Sequence, residues 1–248
     1  MARAKPVSRA GVRGGDGLFF EPSLAVDAVI FTVDAGLLQV LLIERANEPF
    51  AGMRALPGGF LKQGEGSAEA VRRILKDKAG VQGVYTEQLY TFDTPGRDPR
   101  GHVVSIAYYA LVPRSELHCP RDAGGVSRFT AIARGTQIPA LYPVRRLSRL
   151  AFDHREIVRY AAERLRAKIG YTNIVYSLLP PRFTLTELQL TYEAIFSVPL
   201  DRRNFQKKFL ALGLIRPTGE YVRGKRQRPA RLYEFISRKR VEIERPFS

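Results

Sequence analysis

The chain has 248 residues, enough for one large or two modest domains that bury a core without disulfides or metals. Its composition, 45% hydrophobic and 26% charged, is ordinary for a globular protein, and no apolar run nears the roughly 20 residues of a membrane-spanning helix. The net charge is +16 and unevenly spread: residues 1–140 hold 17 Lys and Arg against 14 Asp and Glu, whereas residues 141–248 hold 23 against 10. A cationic excess confined to the C-terminal part points to nucleic acid or an anionic surface as partner.

The opening stretch, MARAKPVSRAGVRGGDG, is basic and lacks the apolar segment of a secretory signal. Residues 1–17 are expected to form a flexible basic arm. Cys119 is the only cysteine, which excludes an intrachain disulfide and fits a reducing, cytoplasmic setting.

Residues 22–34 (PSLAVDAVIFTVD) and 38–45 (LQVLLIER) read as a β-hairpin around Asp34-Ala35-Gly36. Pro57-Gly58-Gly59 leads into a helix over 67–79, with Ser67 as N-cap and Gly80 at the C-terminal cap. Residues 85–93 and 102–112 are strand candidates separated by the polar loop TPGRDPRG. A helix over 153–169 follows, with Asp153 as cap and Ile157, Ala161 and Leu165 on one face. Pattern and charge change between 145 and 153, which places the domain boundary at 147/148: residues 18–147 form the first domain and 148–248 the second.

Between Gly59 and Val81 the chain reads GFLKQGEGSAEAVRRILKDKAGV. This resembles the Nudix box, G-x5-E-x7-R-E-U-x-E-E-x-G-U, with Gly59, Glu65, Arg73, Leu75, Gly80 and Val81 in register. The resemblance implies an α/β/α sandwich of mixed strands whose acidic helix face holds Mg²⁺ or Mn²⁺ against a nucleoside diphosphate. The three acidic positions after the Arg are Ile74, Asp77 and Lys78, which helical spacing puts on one face. One Asp beside an ammonium is a poor site for a hard cation, so neither a metal site nor catalytic residues are expected. Asp77 and Glu65 leave residual metal binding open. Glu69 and Arg73, spaced i, i+4, are expected to pair.

The remaining cleft chemistry suits a ligand. Gly58, Gly59 and Phe60 bring backbone close to it. Arg45, Arg54, Arg97 and Arg100 offer guanidinium groups to phosphate, and Asp98 adds a carboxylate in the same loop. Tyr90 and Phe92 are candidates to stack an adenine. No cofactor is required on this reading.

In the C-terminal part, 172–179 is a short apolar helix. Thr184-Leu185-Thr186-Glu187 fits a capping box before an amphipathic run to Phe196. After Ser197–Leu200, Asp201 caps a helix from Arg202 to about Leu212. On that helix Phe205, Phe209 and Leu212 face inward. Arg203, Gln206 and Lys207 project outward with Arg202 and Lys208 on the flanks, side chains that read bases and hold phosphates. Two strands, about 219–223 and 231–236, then surround a tip carrying Lys225, Arg226 and Arg228. This is a winged helix-turn-helix.

The two parts together resemble the Nudix-related transcriptional regulators of NAD metabolism, over about residues 18–240. That resemblance implies a homodimeric repressor of NAD biosynthesis or salvage genes on a palindromic DNA operator, with ADP-ribose or a related nucleotide as effector. An ADP-ribose pyrophosphatase with an accessory C-terminal domain is the competing reading. An RNA-binding or membrane-surface module is a third, disfavoured by the paired helices and wing.

Overall fold

The computed structural model describes residues 11–14, 17–117, 139–222 and 229–243. The wing-tip residues Lys225, Arg226 and Arg228, and Cys119, lie outside them. Within the expected arm, β1 (Gly11–Gly14) and β2 (Gly17–Phe20) pair antiparallel, so part of that stretch is strand.

The central strand is β3 (Ser23–Asp34), twelve residues long and joined by the Ala35-Gly36 turn to β4 (Leu37–Glu44). β5 (Arg54–Ala55) continues the sheet beyond β4, and β6 (Gly58–Phe60) pairs with the first half of β3. After α1 (Ser67–Ile74) come β7 (Tyr85–Phe92) and β8 (Val103–Leu111), with β9 (Pro139–Pro143) along β4. The sheet order is β5-β4-β3-β8-β7, parallel only between β3 and β8. The mixed sheet expected from the sequence is present.

Successive residues of a strand point to opposite faces, and β3 is buried on both. Val26, Ala28 and Ile30 pack with Val71, Ile74 and Leu75 of the α1 region. Val29 and Phe31 face the other way, onto Ile157, Ala161 and Leu165 of α2 (His154–Ile169). Each fully buried aliphatic or Phe side chain contributes about 1.5–3 kcal/mol, so these layers hold the sheet between α1 and α2.

Three local expectations are corrected. The N-cap of α1 is Gly66 rather than Ser67; Ser67 Oγ lies 2.9 Å from Tyr108 Oη. Glu69 does not pair with Arg73: its carboxylate accepts from the Gly66 N–H at 3.1 Å, because the helix start leaves that donor unsatisfied. Beyond Ile74 the helix widens into a π turn, Leu75–Ala79, ended by Gly80 in the left-handed conformation. Ile74, Asp77 and Lys78 therefore do not share one face: Ile74 is in the core and Asp77 is exposed.

The helix over 153–169 forms, and its apolar stripe is fully buried. Yet it serves both parts of the chain. It packs on β3 and β7 on one side and on α3 (Leu185–Phe196) on the other. Lys168, buried in its last turn, reaches a charge-assisted hydrogen bond with the half-buried Glu87 of β7. The boundary expected at 147/148 would thus fall before a helix whose core is continuous with the sheet.

Asp153 makes no side-chain cap; its carboxylate is taken by Arg97. The capping box at Thr184 is as expected, with Glu187 N–H donating to Thr184 Oγ1 and Thr184 N–H to Glu187 Oε2. Asp201 caps α4 (Arg202–Ala211) through the Asn204 N–H at 2.8 Å. β10 (Phe183–Thr184), β11 (Ile215–Val222) and β12 (Ala230–Phe235) form a separate sheet in the order β10-β12-β11. Phe205, Phe209, Tyr192, Phe183 and Phe235 interlock beneath it, with Phe209 and Phe235 edge to face.

Candidate functional site

A cleft of about 660 Å³, partly open to solvent, lies where β3, β6, the 97–100 loop and the start of α2 meet. Gly58, Gly59, Phe60, Arg45, Arg97, Asp98 and Arg100 all line it, as the sequence reading expected. Arg54 does not. Its guanidinium sits 4.1 Å from the Tyr142 ring centroid, a cation–π contact on the outer strands. Tyr90 and Phe92 are also elsewhere: they meet edge to face and pack on Tyr160 of α2.

The aromatic walls of the cleft are Phe60 and Phe152, with Arg45 4.7 Å from the Phe152 centroid and Arg100 5.1 Å from that of Phe60. Phe152 has φ of 53°, a left-handed conformation rare for a bulky residue. Such strain costs on the order of 1–3 kcal/mol and persists where its surroundings demand it.

At the floor is Asp27, whose Oδ2 accepts from Ser105 Oγ at 2.6 Å. A Cβ at Gly58 would lie 2.1 Å from Asp27 Oδ1, so any larger residue there must displace the Asp27 carboxylate or the strand. His154 Nε2 is 3.6 Å from the same Oδ1, while Leu56 N–H donates to His154 Nδ1 at 2.9 Å. The amide bond assigns Nδ1 as acceptor, which makes the ring neutral. Burial pushes the His154 pKa down, outweighing the pull of Asp27 and Asp153.

The cations are held in distinct ways. Arg97 donates from Nε and Nη2 to the two oxygens of Asp153 at 2.8 and 2.7 Å, with Nη2 3.6 Å from Asp27 Oδ2. Burial, the largest single effect, would lower its pKa; the Asp153 hydrogen bonds and the charges of Asp153, Asp27 and Asp98 together outweigh that and raise it. Arg100 forks onto Asp98, with Nη2 to Oδ2 at 2.6 Å. Arg45 donates from Nε to Pro49 O, and burial draws its pKa down, with Arg100 adding repulsion. Lys78 Nζ donates to Gly58 O at 2.6 Å, and burial lowers its pKa too. The wall thus carries four cations, Arg45, Lys78, Arg97 and Arg100, against Asp27 and Asp98.

The residues do not fit a divalent metal. Glu65 is held by Arg73, with Nε 2.6 Å from Oε1, and the hydrogen bonds from Arg73 and the Lys62 amide pull its pKa to about 2. Glu69 caps the helix, Asp77 is exposed, and among the described residues no three His, Cys, Asp or Glu side chains converge.

The sequence reading missed Asp27, Phe152 and His154. Asp27 sits among apolar strand residues in VDAV, and that lone carboxylate in a buried strand is the signal that could have found it. Phe152 and His154 gave no signal, since they join the cleft from some 100 positions beyond Leu56.

On α4, Phe205 and Phe209 are buried, whereas Arg202, Arg203, Lys207 and Lys208 are exposed and Gln206 is half-buried. The expected basic face is therefore presented outward beside the β11–β12 wing.

Two family models match the chain: the NUDIX domain over residues 21–157 and the NrtR DNA-binding winged helix domain over 175–235. An ADPR responsive transcriptional repressor, NtrR, of Acinetobacter baylyi is 36% identical over 217 residues, 86% of this chain and 82% of that protein. An ADP-ribose pyrophosphatase of Methanocaldococcus jannaschii is 37% identical over 57% of this chain and 74% of its own length. The crystal structure of Shewanella oneidensis NrtR complexed with a 27mer DNA matches with a TM-score of 0.76 at 32% identity, covering 91% of this chain and 99% of that one.

Proposed function

The chain belongs to the NrtR family of Nudix-domain transcriptional regulators, and we propose that it is a DNA-binding repressor whose cleft senses ADP-ribose or a close relative. The observation that carries this reading is a cleft of four cations with aromatic walls, joined through one helix to a domain with a basic recognition face. The named relatives, one ADPR responsive and one complexed with DNA, support it. Genes of NAD biosynthesis or salvage are the proposed targets.

Arg202, Arg203, Gln206, Lys207 and Lys208 are the proposed DNA contacts, together with Lys225, Arg226 and Arg228 on the wing. Arg can bind guanine in the major groove through two hydrogen bonds, and Lys neutralises phosphates. Two chains paired through residues 18–147 would bring two such faces to a palindromic operator, with half-sites one helical turn or a multiple apart.

In the cleft, Arg45, Lys78, Arg97 and Arg100 would take the diphosphate, and Phe152 or Phe60 the base. A phosphate at Arg97 competes with Asp153, the residue that precedes α2. Since α2 packs on both the sheet and α3, loosening that pair biases the orientation of α4. The ligand's leverage is limited to its difference in affinity between the two arrangements.

The pyrophosphatase reading is tested by incubating the protein with ADP-ribose and Mg²⁺ or Mn²⁺ and following AMP release. No turnover is expected. Release at ordinary enzyme rates, about 1–1000 per second, contradicts the proposal.

A further inference from the structure

The Nudix helix normally presents carboxylates to a metal that in turn meets a diphosphate. Here the position of the last box carboxylate is Lys78, and the π turn at Leu75–Ala79 carries it to the cleft rather than to bulk water. Its Nζ is fixed by one hydrogen bond to Gly58 O, leaving two of the three ammonium donors for a ligand. The anchor is held by the sheet, because Gly58 pairs with Asp27 in the antiparallel β3–β6 ladder.

Among the described residues, the carboxylates near this ammonium are already engaged or turned away. Asp27 accepts from Ser105, Asp98 from Arg100, Glu65 from Arg73, and Asp77 faces solvent. A hard dication needs about six oxygen ligands, and Lys78 takes the box position of one of them.

We propose that Lys78 replaces the metal: its anchored ammonium supplies the positive charge against the diphosphate, so the cleft binds a diphosphate-linked nucleotide without divalent cation. This rests on the reading of the cleft as a nucleotide site. An ammonium and a metal differ in one respect that matters here. A bound metal also acidifies a water into a nucleophile, whereas an ammonium attracts phosphate and activates no water. Lys78 thereby preserves ligand recognition where the other box positions leave no metal to activate water.

Calorimetric titration of the full chain with ADP-ribose, in EDTA and in Mg²⁺, tests this. The wild-type Kd should agree within about threefold in the two buffers. Lys78→Met, which keeps the aliphatic stem, should weaken binding about ten- to hundredfold in both, the worth of a charged hydrogen bond. Lys78→Arg should recover most of that loss. A wild-type affinity that depends on Mg²⁺, or a folded Lys78→Met that binds like wild type, overturns the inference while leaving the nucleotide site intact. Absence of binding by the wild type in either buffer overturns the nucleotide site and this inference together.

Discussion

Arg97 and Asp153 share two hydrogen bonds of 2.8 and 2.7 Å, and the pair joins the cleft to the residue that precedes α2, the helix that packs on α3. A side chain that lines the cleft also holds the start of the helix that packs on both the sheet and α3.

Asp153→Asn should therefore lower the coupling between the two sites. Operator affinity is expected to fall without ligand, and ADP-ribose to weaken it further by less than in the wild type. Coupling energies of this kind are about 1–3 kcal/mol. Operator dissociation constants with and without ADP-ribose, for both proteins, measure it; an unchanged ligand response in Asp153→Asn removes the pair from the relay.

On α4, Arg203→Ala should cost about 1–3 kcal/mol of operator affinity and relax base preference at one position. Lys207→Ala should weaken binding to all sequences alike and flatten the log–log salt slope by about 0.9. Replacing Lys225, Arg226 and Arg228 together should flatten it further. Isotherms at several salt concentrations distinguish base reading from phosphate contact.

Gly58→Ala forces a methyl group against Asp27 Oδ1. Overpacking of this kind costs about 1–3 kcal/mol, and here it also displaces the backbone carbonyl that anchors Lys78. Thermal melts and ADP-ribose titration should show a less stable protein with weakened ligand binding. An alanine variant with wild-type behaviour would show that β6 is free to shift.

Glu65 carries the pH dependence of the box. Its folded pKa, about 2, is below the ordinary carboxylate value of 4.5. Its contribution to stability is thus complete above that value and is lost as pH falls toward the folded one. Urea midpoints measured between neutral and acid pH should decline less steeply for Glu65→Gln than for the wild type. Parallel profiles would show that the Arg73 pair adds nothing to the folded state.

The sequence made the elements more legible than their meetings. The β-branched apolar run in 22–34, the capping box at Thr184 and the Asp201 cap are local patterns, and each survives in the structure. The inward Phe205 and Phe209 follow from helical spacing alone. What spacing could not show was which distant segments converge. Tyr90 and Phe92 have the chemistry to stack a base, but β7 turns them toward Tyr160. Phe152 and His154 reach the cleft because α2 folds back over the sheet. Asp153 looked like a cap because its neighbours are helical; the Arg97 fork offers it two charge-assisted bonds instead. Lys78 could be read as hostile to a metal, but its path to Gly58 O depends on a π turn that no residue pattern announced.

The central claim is that a nucleotide in the cleft controls DNA binding without being consumed. It is tested by selecting an operator from a random duplex library with the full chain, then titrating that complex with ADP-ribose in EDTA. The account predicts a palindromic site and release of DNA, with ADP-ribose recovered intact. A complex that stays bound while ADP-ribose occupies the cleft would contradict it.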